Sequence, residues 1–124
     1  MLNYTSSLTT FSVPDLGAAR AFYGNLLGLP LGDTPEGGIS MKLKSNEVLL
    51  YPKPNHTPAT FTVLNFIVPD IESAVDQLTA AGVRFLQYDD PIKTDAKGIF
   101  RGGGPLIAWF TDPGGNILSV IEQH

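Results

Sequence analysis

Val63-Leu64-Asn65-Phe66-Ile67-Val68-Pro69-Asp70-Ile71 repeats Leu8-Thr9-Thr10-Phe11-Ser12-Val13-Pro14-Asp15-Leu16 position by position, with Phe, Val, Pro and Asp identical. Both stretches alternate. Thr9, Phe11 and Val13 take one face of a strand, and Leu8, Thr10 and Ser12 take the other. Proline then ends the strand, and the aspartate after it is placed to cap a helix, its carboxylate accepting from the N–H groups of the next turn. Leu16, Ala19, Tyr23, Leu26 and Leu27 follow at helical spacing, with Gly28 as the stop. The second copy has Ile71, Ala74, Val75 and Leu78, with Gly82 as its stop.

Outward from each helix the pattern turns to strands. In the first copy these span Leu29 to Thr34, Ile39 to Lys44 and Glu47 to Tyr51, with a turn over Pro35 to Gly38. Pro52 to Pro58 is too rich in proline to continue a sheet and reads as a linker. In the second copy Val83 to Tyr88 reads as a strand, and Asp89 to Pro105 as a long glycine-rich loop. The chain closes with Trp109 to Glu122, WFTDPGGNILSVIE, which reads as strand, tight turn, strand. Proline presets φ in that turn, and glycine and asparagine tolerate φ > 0. Asn116 lies over Asn46, and Ser119 over Leu49.

The pattern predicts an α+β domain of two tandem βαβββ modules, a cupped mixed sheet with helices on its outer face. Residues 1–124 form one domain: module one is about 5–52, the linker 53–59 and module two about 60–122. Each copy alone is near the size of roughly 60 residues at which a core becomes marginal. Pairing two copies around a shared hollow is the expected solution, and the hollow is the expected ligand site.

Composition narrows the function. A net charge of −4 over 124 residues offers no basic stripe for a phosphate backbone, so no nucleic-acid partner is expected. The chain has no cysteine, which excludes thiol nucleophiles, disulfides and thiolate metal sites. No apolar run approaches the roughly 18 residues of a membrane span, and MLNYTSSLTTF has no signal-peptide pattern. The expectation is a cytoplasmic protein with no membrane partner.

V-P-D-L-x-x-A-x-x-F-Y-x-x-L-L-G at Val13 to Gly28 and F-x-D-P-x-G-N at Phe110 to Asn116 resemble the glyoxalase / bleomycin-resistance / extradiol-dioxygenase superfamily, also called vicinal oxygen chelate. The resemblance spans both modules and implies a homodimer. In metal-using members, ligands come from the first and last strands of each module. Carried onto this chain, those positions are Leu8, Leu49, Val63 and Ser119. Three are hydrocarbons and one is a neutral hydroxyl, whereas a divalent cation needs imidazole or carboxylate there. No metal, no cofactor and no catalytic residue is therefore assigned. By resemblance, the functional kin expected are metal-free, bleomycin-resistance-type binding proteins.

Alternation then marks Leu8, Thr10, Leu49, Tyr51, Val63, Asn65, Trp109, Ser119 and Ile121 as ligand-binding. Arg101, in GIFRGGGP, joins them as a clamp for an anionic group. The partner expected is a partly apolar or aromatic small molecule. Two other readings stay open: a superfamily lyase, isomerase or dioxygenase with an atypical site, and a non-catalytic interaction or regulatory module. The remaining polar residues have plainer roles. Asp15 and Asp70 are caps, Asp112 is a turn residue, Glu47 is a solvated rim, and His56 and His124 are surface groups. Ser119 lacks a histidine on a facing strand and so is no nucleophile. The glycine run is not a phosphate loop, because no Lys-Ser/Thr follows it.

Overall fold

The computed structural model describes residues 1–123. The chain divides into two compact units, Met1–Thr57 and Pro58–His124. Each is a four-stranded mixed sheet with a helix against one face.

In the first unit, β1 (Thr9–Val13) leads into helix α1 (Leu16–Ala19), which continues as a π-helical segment (Arg20–Leu26). β2 (Leu31–Asp33), β3 (Ile39–Lys42) and β4 (Glu47–Pro52) complete the sheet in the order β1-β4-β3-β2, with β1 parallel to β4. Asp15 caps as its position predicts: Oδ1 accepts from the Gly17 N–H at 2.8 Å and the Ala18 N–H at 3.4 Å. The apolar spacing predicts a helix here, and one forms, but not with a single hydrogen-bond pattern. Its second half closes wider turns, with the Leu27 N–H reaching the Phe22 carbonyl at 2.9 Å. Apolar spacing does not distinguish the two forms, because Tyr23 is buried in either. Val13, Ile39, Met41, Val48 and Leu50 bury one sheet face completely against Ala19 and Tyr23. Phe11 adds a ring 6.5 Å from that of Tyr23.

The second unit repeats the plan. β5 (Thr62–Val68) leads into α2 (Ile71–Ala80), and β6 (Ile99–Phe100), β7 (Ile107–Thr111) and β8 (Ile117–Glu122) follow. The order is β5-β8-β7-β6, with β5 parallel to β8. The Asp70 carboxylate accepts from the Ser73 N–H at 3.2 Å, and Glu122 on β8 accepts from the Ile71 N–H at 3.1 Å. Two carboxylates thus meet the orphan donors of the α2 N-terminus. Gly82 follows the helix at φ 107°, a left-handed backbone that glycine adopts without steric cost. Ile71, Val75, Ile99, Ala108, Phe110, Leu118 and Val120 form the core on this face.

Three expectations are corrected. Val83 to Tyr88 is not a strand. It makes one bridge, Phe85 to Phe110, and one bond from the Leu86 N–H to the Trp109 carbonyl at 2.8 Å. The next positions of β7, Ala108 and Ile107, pair with β6, and the Tyr88 N–H is taken instead by Thr94 Oγ1 at 3.0 Å. The outer strand of this sheet is β6, inside the stretch expected to be pure loop. Alternation in β5 is also broken. The register shifts between Thr62 and Leu64, so that Thr62 rather than Val63 lies beside Ile117.

Candidate functional site

With the core on one face of each sheet, the residues at alternate positions occupy the other. In the second unit the register lines them into rows. Asn65, Ser119 and Trp109 are neighbours across β5, β8 and β7. Next to them, Ile67, Ile121, Ile107 and Phe100 form an apolar row across all four strands.

Trp109 is the centre of this face. Tyr88 meets it edge-on, with ring centroids 5.3 Å apart and planes at 88°. The Phe100 ring lies 6.3 Å away on a tilt of 41°. Three aromatic rings thus converge beside a serine and an amide. Edge-to-face packing fixes the indole with its π surface directed by its neighbours. Ser119 is fully buried, and its hydroxyl donates to Asn65 Oδ1 across the parallel strand pair. That bond turns the Asn65 amide NH₂ away from Ser119. Asn65 is exposed and Ile67 is 55% exposed, so the open side of the face is partly apolar.

The hairpin that carries Trp109 and Ser119 is set by its turn. Asp112 is buried. Its Oδ1 accepts from the Gly114 and Asn116 N–H groups, and its Oδ2 accepts from Asn116 Nδ2, each at 2.9 Å. Gly115 sits at φ 85° with Pro58 packed against it. The D-P-x-G-N motif is therefore a hydrogen-bonded knot, the turn role expected of Asp112.

Of the other predicted site residues, Thr10 and Leu49 are cross-strand neighbours on the open face of the first sheet, and Ser40 continues the row. Tyr51 is paired with Ser12 there and is 40% exposed. Leu8 precedes β1 and is 51% exposed. His56 is not the simple surface group expected. It is half-buried, with Nδ1 2.7 Å from Ser12 Oγ. His124 lies outside the described residues.

Arg101 is drawn away from the Trp109 face. Phe100 points toward the indole, so the next residue alternates to the helix side. There the guanidinium pairs with Glu72 on α2 at 2.6 Å and with Asp95 at 2.9 Å. Those hydrogen bonds, the one to Asp95 first, raise its pKa further. Burial pushes the Asp95 carboxyl up, but the Ile99 N–H, Arg101 and the Lys97 N–H outweigh it and hold the pKa below the usual value. Lys97 pairs in turn with Asp76 at 3.1 Å. This network straps residues 95–101 to α2. A groove of about 360 Å³ opens beside it, lined by Val75, Phe85, Arg84 and Lys97 among others, and holds none of the predicted ligand residues.

Metal binding is a question of donor chemistry. Leu8, Leu49 and Val63 have no donor atom, and the Ser119 hydroxyl is committed to Asn65. A divalent cation does not fit these residues. Among the described residues, no three of His, Cys, Asp and Glu converge on a common point.

Asn65, Trp109, Ser119 and Ile121, assigned from alternation, share one face of the second sheet, and Tyr88 and Phe100, which alternation did not assign, lie beside Trp109 there. Phe100 had a signal, since it alternates with the core residue Ile99. Tyr88 had none, because its stretch was read as an ordinary strand.

A sheet of four strands on a helix, built twice with a parallel first-to-last strand pair, defines the paired βαβββ class of small α+β proteins. Within that class, the family model for the Glyoxalase/Bleomycin resistance protein/Dioxygenase superfamily matches residues 5–120, and the chain belongs to this superfamily. Solved structures with the same fold include a member of this superfamily from Sphaerobacter thermophilus, 23% identical over 96% of this chain and 98% of its own, with a TM-score of 0.68. TnmS3, an antibiotic binding protein from Streptomyces sp. CB03234, is 23% identical over 99% and 100%, with a TM-score of 0.68. The fosfomycin resistance protein FosX from Listeria monocytogenes is 14% identical over 99% and 96%, with a TM-score of 0.71. No sequence match was found among curated proteins. Among the described residues, no helix is long and apolar enough to cross a membrane.

Proposed function

We propose that this protein binds a small, partly aromatic molecule without a metal, and that the ligand lies on the open face of the second unit against Trp109. The observation that carries the reading is the convergence of Tyr88 and Phe100 on Trp109, beside Asn65 and Ser119. A flat ligand gains stacking area from the rings and apolar contact from Ile121 and Ile67. It takes a directed hydrogen bond from the exposed Asn65 amide. An antibiotic-binding protein and a fosfomycin resistance protein among the structural relatives favour a drug-like ligand and a sequestering role. The chemistry of Leu8, Leu49, Val63 and Ser119 supports independence from metal. The family resemblance supports a homodimer, which analytical ultracentrifugation tests directly.

Trp109 is the only tryptophan, so its emission reports the site itself. Titration with a panel of aromatic antibiotics should quench or shift that emission for at least one compound. Saturation at 100 times Kd should raise stability by about 2.7 kcal/mol in a thermal-shift assay. Trp109→Ala should weaken that compound at least about tenfold, equal to ~1.4 kcal/mol. A stabilising compound whose affinity Trp109→Ala leaves unchanged would place the ligand elsewhere and refute the reading.

A further inference from the structure

The first unit carries a polar pair that the binding reading does not use. Ser12 is in β1, held in register opposite Tyr51 of β4. His56 belongs to the proline-rich segment after β4. That segment folds back along the end of β1: the Lys53 N–H donates to the Val13 carbonyl at 2.9 Å, and the His56 N–H donates to the Lys53 carbonyl at 3.0 Å. The Lys53 ammonium donates to Asn55 Oδ1 at 3.1 Å. These bonds deliver the imidazole to the serine, with Nδ1 2.7 Å from Oγ.

Both residues are half-buried and lie on the open side of the sheet, not in the core. A serine in that position has water as an alternative partner, so satisfying its hydroxyl does not require an ordered imidazole. A nucleophilic hydroxyl, however, does need a base within about 2.6–3.2 Å. Tyr51, Leu49 and the exposed Leu8 lie on the same face and supply apolar surface beside the hydroxyl.

We propose that Ser12 and His56 form a nucleophile–base pair that transfers the acyl group of small activated aryl esters. Ser12 Oγ attacks the ester carbonyl carbon as its proton passes to His56 Nδ1. The bond from that carbon to the aryl oxygen then breaks, and His56 returns the proton to the departing phenol. The acyl group remains on Ser12. Water, losing its proton to His56, attacks the acyl carbon; the bond from that carbon to Ser12 Oγ then breaks and His56 returns the proton to Oγ, which releases the acid and restores the Ser12 hydroxyl. Leu49 and Tyr51 provide the surface for the aryl group. The pair shares no residue with the binding site proposed around Trp109, which lies in the other unit.

The test is to incubate the full chain with p-nitrophenyl acetate, following nitrophenol release and mapping the acetyl group by peptide mass spectrometry. The expected result is one acetyl group on Ser12. The release rate should fall at least about a hundredfold in His56→Gln and to background in Ser12→Ala, with Ser45→Ala, in an exposed turn, unchanged. Ser12→Cys keeps a nucleophile beside the base and should still be acetylated. It decides the matter if circular dichroism shows that Ser12→Ala is unfolded. Acetyl groups found only on lysines or the N-terminus, or a release rate unchanged in folded His56→Gln, would overturn the proposal.

Discussion

Replacing Asp112 with alanine should be among the most damaging single changes in the second unit. The carboxylate is 4% exposed and accepts three hydrogen bonds at 2.9 Å, from the Gly114 N–H, the Asn116 N–H and the Asn116 side-chain amide. Gly114 is only half-buried, so water can replace its bond. Asn116 is 2% exposed, and both of its donors would lose their bond to the Asp112 carboxylate. A hydrogen bond to a charged group contributes about 1.5–3 kcal/mol. With two buried bonds to a carboxylate lost, and some relaxation of the turn, the loss should be roughly 3–5 kcal/mol. That is a large share of the ~5–15 kcal/mol that holds a domain folded. At about 4 °C per kcal/mol for a chain of this size, the melting temperature should fall by about 12–20 °C. Urea unfolding followed by Trp109 emission measures the loss, with circular dichroism as a second probe. Asp112→Asn keeps one acceptor but turns an NH₂ toward the Asn116 amide, so it should lose an intermediate amount. The Asp112→Ala/Asn116→Ala pair should lose less than the two single losses added together, because both changes break the same bond from the Asn116 side-chain amide to the carboxylate. A loss under about 1 kcal/mol for Asp112→Ala would refute the reasoning. It would mean that Pro113, Gly114 and Gly115 set the turn through backbone preference alone.

Two further outcomes are expected. Asp95 has a lowered carboxyl pKa in the folded chain, so it contributes stability above the ordinary unfolded value of about 3.9 and loses it as pH falls through the folded value. Asp95→Asn should therefore be less stable than the parent at pH 7 and should converge with it in strong acid. A difference independent of pH in urea titrations would show that the Asp95 charge does not contribute. Ser119→Glu places a carboxylate at one of the family's ligand positions, yet Leu8, Leu49 and Val63 still offer no donors. Zinc should bind this variant no better than the parent by calorimetry. Tight stoichiometric zinc would show that these four positions are wrongly assigned.

The repeated strand–Pro–Asp–helix stretch was legible because each residue acts locally. Alternation chooses the buried face, proline stops the strand, and Asp15 and Asp70 cap the turn that follows. The same local logic found the Asp112 turn and the row Asn65, Ser119, Trp109. It failed where partners are distant in sequence. β6 pairs with Ala108 and Ile107 of β7 and Thr94 takes the Tyr88 N–H, so Val83 to Tyr88 keeps only a bridge, although nothing in that stretch lacks strand character. Val63 keeps its apolar side chain, but the bulge displaces it from the row that alternation assigned. Arg101 looked available for a ligand until Glu72 and Asp95 were brought beside it. The Ser12–His56 pair joins a strand to a linker, and the aromatic trio joins three segments. No spacing rule reaches across such distances.

The parallel pairing of first and last strands in each unit also orders how the chain can fold. β4 is complete at Pro52, so the sheet β1-β4-β3-β2 has all its strands while the second half is still being made. The other sheet has no such early point. Asn65 and Ser119 are 54 residues apart, and β5 stays without its neighbour until β8 is finished. The entropy of closing that loop rises only with the logarithm of its length. The delay therefore comes from the order of synthesis. Until then β5, with its exposed Ile67, is a long strand with open edges, the kind of template that pairs with other chains. During synthesis, the second unit is the part of this protein that most needs protection from aggregation.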